Sequence, residues 1–402
     1  MLSNEPNHLD QVLSRGVEQI LPDKQSLQTL MSQKKIRLYL GIDPTGSLLT
    51  LGHAVVLRKL QQFVELGHEV ILLVGNGTVR IGDPTGKDTT RPELSDEQIE
   101  ANFQDWQNQA SKLLDFAKIT VRHNGEWLDQ LKLPDFIKLM AKTTVQQLLE
   151  RDMFQKRLGG NQPIYTHELM YPLLQGYDSV AMDVDLEIGG SDQLFNMLMG
   201  KTLLKIYRNK PKWVLTTPII NGLDGRKMSK SYGNYVALNE NPQDMFGKLM
   251  SLADENIIPY MKVLTDISLE EIAQYQTAME SGANPMEFKK ILARTITEFF
   301  HDNESALTAQ STFETVVQNK GLPDEIKQIH LPAVEPSVSI LSLVQACLPQ
   351  ESAGNLKRLI AQGAVELVDT HQKPTDYLSP IELQDNMVVR VGKRQFFKVK
   401  LS

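Results

Sequence analysis

Ile36-Arg-Leu-Tyr39-Leu-Gly41-Ile42, followed by Asp43-Pro-Thr45-Gly-Ser-Leu-Leu-Thr50-Leu-Gly52-His53, joins an apolar run to the start of a helix. Residues 54–66 then carry apolar side chains at helical spacing, and Glu69-Val-Ile-Leu-Leu-Val74 is a second apolar run with Gly75-Asn-Gly77 turning out of it. Strands without a polar face, separated by amphipathic helices, predict a parallel sheet covered by helices, because the crossover helices bury both faces of the sheet. The alternation continues outward to about residue 221. Ser95 with Gln98 forms a capping box, behind which Ile99, Phe103, Trp106, Ala110 and Leu113 recur at helical spacing. Residues 184–188 and 214–220 read as further strands, the second leading into Asn221-Gly-Leu-Asp-Gly225.

Beyond about residue 235 the strand signals vanish and helical patterns dominate, as in Ser268-Leu-Glu-Glu-Ile-Ala273 and residues 286–300. Pro and charge cluster over 319–336, a candidate linker. From Pro336 to Ser402 eight Lys or Arg against six Asp or Glu give +2, in a chain whose net charge is −7.

The 402 residues are enough for two or three domains, and 41% apolar with 23% charged is an ordinary globular composition that excludes disordered and fibrous classes. The negative net charge argues against indiscriminate coating of nucleic acid while leaving room for a local basic patch. The single cysteine, Cys347, can form neither an internal disulfide nor a Cys-based zinc cluster, which fits a reducing compartment. The start of the chain has no basic and apolar leader and no run approaches a membrane span, so a soluble cytoplasmic protein is expected.

Two segments are candidates for holding phosphate. Asp43 to His53 sits where a strand turns into a helix, with free backbone N–H groups and the helix dipole favouring an anion; Gly52 allows close approach and His53 can donate. Read alone, a Gly-His pair at a helix start is ordinarily structural. Gly225-Arg-Lys227-Met-Ser229-Lys230-Ser231 sets two lysines three apart in a Gly and Ser setting, able to reach one polyphosphate from the same side, and read alone it is a solvated basic loop. Two other stretches fail as nucleotide motifs. In Gly82-Asp-Pro-Thr-Gly86-Lys87, Ile81 stands where a P-loop needs its first Gly and Asp88 replaces the Ser or Thr; Gly75-Asn-Gly77 has Arg80 where a dinucleotide fingerprint needs its third Gly.

Taken together, the two phosphate candidates resemble the paired motifs of class I aminoacyl-tRNA synthetases, the first their HIGH motif and the second KMSKS in full. Tyr39-Leu-Gly-Ile-Asp43-Pro-Thr45, Gly82-Asp83-Pro-Thr-Gly-Lys87, Tyr171-Pro-Leu-Leu-Gln175-Gly-Tyr-Asp178 and Gly189-Gly-Ser-Asp192-Gln193 then resemble, in order, the blocks of bacterial-type tyrosyl-tRNA synthetases. That resemblance implies a Rossmann-like α/β catalytic domain over 1–222, a KMSKS loop and helical anticodon-side domain over 223–320, a linker over 321–335 and an α+β S4-like RNA-binding domain over 336–402. It implies L-tyrosine, ATP and tRNA(Tyr) as substrates, Mg²⁺ accompanying the ATP, no tightly held metal and a homodimer.

The resemblance assigns residues as follows. Asp178 and Tyr39 satisfy the phenolic hydroxyl of tyrosine, so that phenylalanine would leave both unpaired; this enzyme family is itself the standard illustration of that rule. Asp83, Tyr171 and Gln175 accept from the ammonium group, Gln193 lies near the carboxylate, and Gly41 lines the same pocket. Asp192 holds the ATP ribose, with Asp43, Gly52, Gly190 and Ser229 also at ATP. Charge developing on the pyrophosphate falls to His53, Lys87, Arg91, Lys227 and Lys230, with Thr45 donating a hydrogen bond. One departure is Thr50, which stands where the first His of HIGH belongs and cannot carry charge.

Ser352-Ala-Gly-Asn-Leu-Lys357-Arg358-Leu-Ile-Ala-Gln-Gly363-Ala-Val365 resembles the S4 module, with Asn355 where that module carries an acidic residue. Lys357, Arg358, Arg390, Lys393 and Arg394 are its expected tRNA contacts, and Phe396 and Phe397 are expected in a small core. Two readings compete with the leading one. A tryptophanyl-tRNA synthetase is disfavoured by Tyr39, Asp178 and the S4-like tail. A synthetase-derived RNA-binding protein that has lost catalysis is motivated by Thr50 and opposed by the intact KMSKS, Asp83 and Asp192.

Overall fold

The computed structural model describes residues 6–84, 94–318, 326–332, 337–392 and 395–402. The chain forms two compact units, 1–300 and 301–402.

The first unit is built on a six-stranded sheet of β1 (Gln19–Leu21), β2 (Arg37–Ile42), β3 (Glu69–Val74), β4 (Thr120–His123), β5 (Leu186–Gly190) and β6 (Trp213–Thr217), in the spatial order β1-β6-β5-β2-β3-β4. Every pairing is parallel except the edge pair β1–β6. Continuous apolar strands such as β3, where Val70 to Val74 are all buried, are what a sheet covered on both faces requires. From β2 the chain builds outward through β3 and β4, then returns to lay β5 and β6 on the other side. The carboxyl ends of β2 and β5 therefore diverge at a topological switch point, where open α/β sheets hold their ligands. The sequence reading located β2, β3, β5 and β6 and missed β1 and β4, which are three and four residues long. The helix that Ser95 caps ends at Ala110, short of Leu113.

Helices Pro242–Met250, Ile257–Leu264, Leu269–Glu280 and Pro285–Phe300 belong to this same unit. The expected boundary near residue 222 is thus not a division between compact units. Arg15 shows why: its guanidinium donates to the carbonyls of Met261, Lys262 and Thr265 at 2.7–3.2 Å and ties the helical segment to the α/β layer.

In the second unit β7 (Lys327–Leu331), β9 (Val365–Leu367), β11 (Val388–Val391) and β12 (Gln395–Leu401) form a sheet in the order β7-β12-β11-β9, beside a pair of β8 (Ser337–Ser339) and β10 (Pro380–Glu382). Helices Ile340–Cys347 and Ala353–Ala361 contribute Leu343, Val344, Leu356 and Ile360 to a core shared with Val389, Phe397 and Val399. Phe396 is buried with Val316 and Val388, so both phenylalanines are core residues. The expected linker 321–335 is corrected here: 327–331 is β7, whose Ile329 and Leu331 enter the core at strand spacing, while 319–325 and 333–336 lie outside the described residues. Among the described residues no helix is long and apolar enough to cross a membrane.

Candidate active site

At the switch point a chain of hydrogen bonds joins five elements. Asp43, following β2, accepts from the Thr78 hydroxyl at 2.9 Å and from the Tyr171 hydroxyl at 2.8 Å. Gly75 is required there, because a Cβ on it would overlap the Asp43 carboxylate and Thr78 Oγ1. Asn124, following β4, accepts from the Gly77 N–H at 2.7 Å and donates from Nδ2 to Thr78 Oγ1 and Asp178 Oδ2. Asp178, on helix Thr166–Met182, also accepts from Trp127 Nε1 at 2.8 Å. Burial drives the Asp178 pKa well above the ordinary carboxylate value; the donors Trp127 and Asn124 pull the other way, and the charges of Glu187 and Asp43 add to the rise.

Tyr39 is wholly buried beside this chain, against Ile71, Leu73, Met182, Val184 and Trp127. Burial raises its pKa far above that of a free phenol, with the charges of Glu187 and Asp178 reinforcing the effect. Its hydroxyl lies 3.0 Å from Ser179 Oγ. Gln175 Nε2 donates to Glu187 at 3.1 Å, and the buried Gln175 Oε1 has no partner among the described residues, an acceptor suited to an ammonium donor. Because Tyr171 spends its proton on Asp43, its oxygen lone pairs are left to accept. Asp83 accepts from Gln193 Nε2 at 2.7 Å and faces the buried Arg151 at 3.9 Å.

The two phosphate candidates meet. Thr50 caps helix Leu51–Glu65, and the Nδ1 of His53 accepts from the Thr50 N–H at 3.1 Å, with the Thr50 hydroxyl 2.9 Å away. Burial first, and the charge of Lys230 second, lower the His53 pKa to about 4. His53 is therefore neutral at physiological pH and carries its proton on Nε2. Thr50, only 4% exposed, works against His53 itself. Met228 Sδ lies 3.6 Å from where a Cβ on Gly52 would stand, and Lys230 Nζ lies 3.8 Å from the equivalent point on Gly46 and 5.9 Å from the Trp106 ring. Trp106, which periodicity assigns to a helix core, also donates from Nε1 to the Gly46 carbonyl at 2.5 Å and packs against the His53 ring. Lys227 pairs with Asp192 at 2.7 Å; with both side chains substantially exposed the pair contributes at most about 1 kcal/mol and leaves the loop easily rearranged. Buried Asn234 clamps that loop, accepting from Ser229 N–H at 2.8 Å and donating to the Lys227 carbonyl and Asp224.

The structure thus brings Tyr39, Asp43, Asp83, Tyr171, Gln175, Asp178 and Gln193 into one region, with Gly41 and Gly190 at the carboxyl ends of β2 and β5. Lys87 and Arg91 lie outside the described residues. Sequence reasoning missed Thr78, Asn124, Trp127, Arg151, Ser179, Glu187, Lys212 and Asn234, none of which lies in a recognisable block. In the second unit Lys357 lies over the Tyr377 ring, Arg358 donates to Asn355 at 2.8 Å, Arg390 pairs with Glu366 at 3.3 Å, and Lys393 and Arg394 lie outside the described residues.

The family model described as tRNA synthetases class I (W and Y) matches residues 31–318, and with the doubly wound sheet and its two converging loops it defines the chain as a class I aminoacyl-tRNA synthetase. Curated relatives include the tyrosine–tRNA ligase of Thermotoga maritima, 44% identical over 98% of each chain, and that of Carboxydothermus hydrogenoformans, 43% identical over 97% of each. Among solved structures, the tyrosyl-tRNA synthetase of Archaeoglobus fulgidus complexed with L-tyrosine matches with a TM-score of 0.60 and 22% identity, covering 76% of this chain and 99% of its own, a likeness of fold. The chain belongs to the bacterial-type tyrosyl-tRNA synthetases.

Proposed function

We propose that this chain activates L-tyrosine with ATP at the crevice between β2 and β5 and passes it to the 3′ end of tRNA(Tyr). The observation that carries the reading is the buried Asp178 carboxylate, held by Trp127 and Asn124 within electrostatic reach of the Tyr39 hydroxyl. A carboxylate and a hydroxyl sunk in an apolar wall are matched to a phenol and leave phenylalanine unable to satisfy them.

The tyrosine carboxylate attacks the α-phosphorus of ATP; the bond to the pyrophosphate oxygen breaks, giving tyrosyl-adenylate, and the terminal ribose hydroxyl of the tRNA later displaces AMP. Asp83, Tyr171 and Gln175 take the ammonium group, Gln193 faces the carboxylate, and Asp192 exchanges Lys227 for the ATP ribose. Lys227 and Lys230 supply positive charge, and His53 and Thr45 supply neutral donors, where negative charge grows on the leaving pyrophosphate. Lys87 and Arg91 are assigned to the same task. Mg²⁺ enters as part of the Mg–ATP substrate. ATP–pyrophosphate exchange with each of the twenty amino acids tests the reading: exchange with tyrosine alone is expected, and exchange with tryptophan or with none would sink it.

The expected homodimer and cytoplasmic site belong to the same proposal. Helix Leu133–Met140 and the first residue of helix Val145–Leu149 hold Leu133, Ile137, Met140 and Val145 at 39–71% exposure, an apolar surface suited to a second copy. Ile137→Lys should convert a dimer to monomer in sedimentation analysis; a wild-type protein that sediments as a monomer would refute this assignment.

For the C-terminal unit we assign Lys357 and Arg358 to tRNA phosphates. Charge reversal of both should leave tyrosyl-adenylate formation unchanged, weaken tRNA binding and flatten its salt dependence by about one unit of log–log slope per lost contact. An unchanged slope would remove the pair from the RNA surface.

A further inference from the structure

Lys212 is the one wholly buried lysine among the described residues, and nothing in the activation chemistry uses it. Its ammonium donates to Ser179 Oγ at 2.7 Å and to the Met197 carbonyl at 3.1 Å, and it pairs with the Glu187 carboxylate. The room is built for it: Gly200, on helix Leu194–Arg208, faces the cluster, and a Cβ there would overlap both Lys212 Nζ and Ser179 Oγ. Gly176 lets the neighbouring helix approach to the same depth, since its own Cβ would lie 2.9 Å from Leu203. An unpaired lysine or glutamate would not survive such burial, so the pair is held as a unit.

An ammonium can only donate. Ser179 Oγ accepts from Lys212, which leaves its own proton for the Tyr39 oxygen 3.0 Å away. We propose that Lys212 and Ser179 are positioning residues that fix the direction of a hydrogen-bond relay, Lys212 to Ser179 to Tyr39, so that Tyr39 presents its proton outward as a donor to the phenolic oxygen of the amino acid. Asp178, whose oxygens only accept when ionised, then takes the phenolic proton. The pocket reads the substrate hydroxyl as acceptor on one side and donor on the other, which is a property of tyrosine. Glu187 is the competitor that would reverse the relay: its carboxylate also lies within hydrogen-bonding reach of the Tyr39 hydroxyl, but Lys212 and Gln175 already donate to its two oxygens, and a bound phenol offers Tyr39 the alternative acceptor. The inference rests on the proposed tyrosine site.

The test is Ser179→Ala in the full chain, read by pyrophosphate exchange with tyrosine, phenylalanine and 4-aminophenylalanine, whose aryl amine donates well and accepts poorly. With the relay cut, KM for tyrosine should rise about tenfold at nearly constant kcat, because the contact is made equally in ground and transition states. Phenylalanine should be unaffected, and 4-aminophenylalanine should gain on tyrosine because Tyr39 is free to turn and accept. One common factor for all three substrates, or an unchanged preference between tyrosine and the amine, overturns the relay. Should Ser179→Ala fail to fold, the double variant Lys212→Met with Glu187→Gln removes both charges together and gives the same readout. Wild-type protein without tyrosine-dependent exchange would instead refute the site itself.

Discussion

Lys230→Ala should slow tyrosyl-adenylate formation by about 10²–10³-fold, the scale for removing one preorganised donor from a developing charge. Lys230 stands over the β2 loop, 3.8 Å from the Cβ position of Gly46 and above the Trp106 ring, where a triphosphate leaving from the crevice would pass. Tyr39, Asp178 and Gln175, the groups proposed to hold tyrosine, lie on other elements, so equilibrium binding of tyrosine should barely change. The pairing of a lost rate with retained binding is the diagnostic: single-turnover adenylate formation measured beside tyrosine affinity separates it from general damage. Because Lys230 also lowers the His53 pKa, its loss should move that pKa up towards the ordinary histidine value, visible by NMR titration. A variant that forms adenylate at the wild-type rate would exclude KMSKS from the chemistry.

Asp178→Asn should lower kcat/KM for tyrosine by about 10²-fold while leaving phenylalanine nearly untouched, collapsing the discrimination between them. The carboxylate accepts from Trp127 and Asn124 through two oxygens, and an amide has one; its NH₂ must face one of those donors or the substrate phenol. A charge-assisted hydrogen bond is lost and a buried donor is left opposed, together about 3 kcal/mol, which is the stated factor. The fold should persist, since removing a buried charge relieves a desolvation cost that offsets part of the lost bonding. Wild-type kcat/KM for tyrosine should also fall on the acid side with an apparent pKa above the ordinary carboxylate value, because the raised pKa means that Asp178 takes up a proton at higher pH than an exposed Asp and then ceases to accept. That acid limb should be absent from the variant. Equal losses for tyrosine and phenylalanine would show that Asp178 serves the fold rather than the phenol.

The layer architecture and the positions of the two loops proposed to face phosphate were legible in the residues alone, because both are written in short-range pattern. A short apolar run such as β3, rich in β-branched residues and followed by glycine, fits a strand buried on both faces, and Asp43 to His53 places its donors within one strand-to-helix turn. The sequence also marked Asp178, Gln175 and Tyr171, which lie on one helix at helical spacing. It misread 321–335 because Pro and charge on either side hid the alternation of Ile329 and Leu331 in β7, whose pairing partner β12 lies some seventy residues on. What stands behind the marked residues was fixed by packing. Asp178 takes its donors from Trp127 and Asn124, 51 and 54 residues away, and Lys212 reaches Ser179 across 33. Those partners come from different strands and helices, so no periodicity records them. What selects them is the cost of burying a charge or a hydroxyl alone, and that cost exists only once the elements have packed around it.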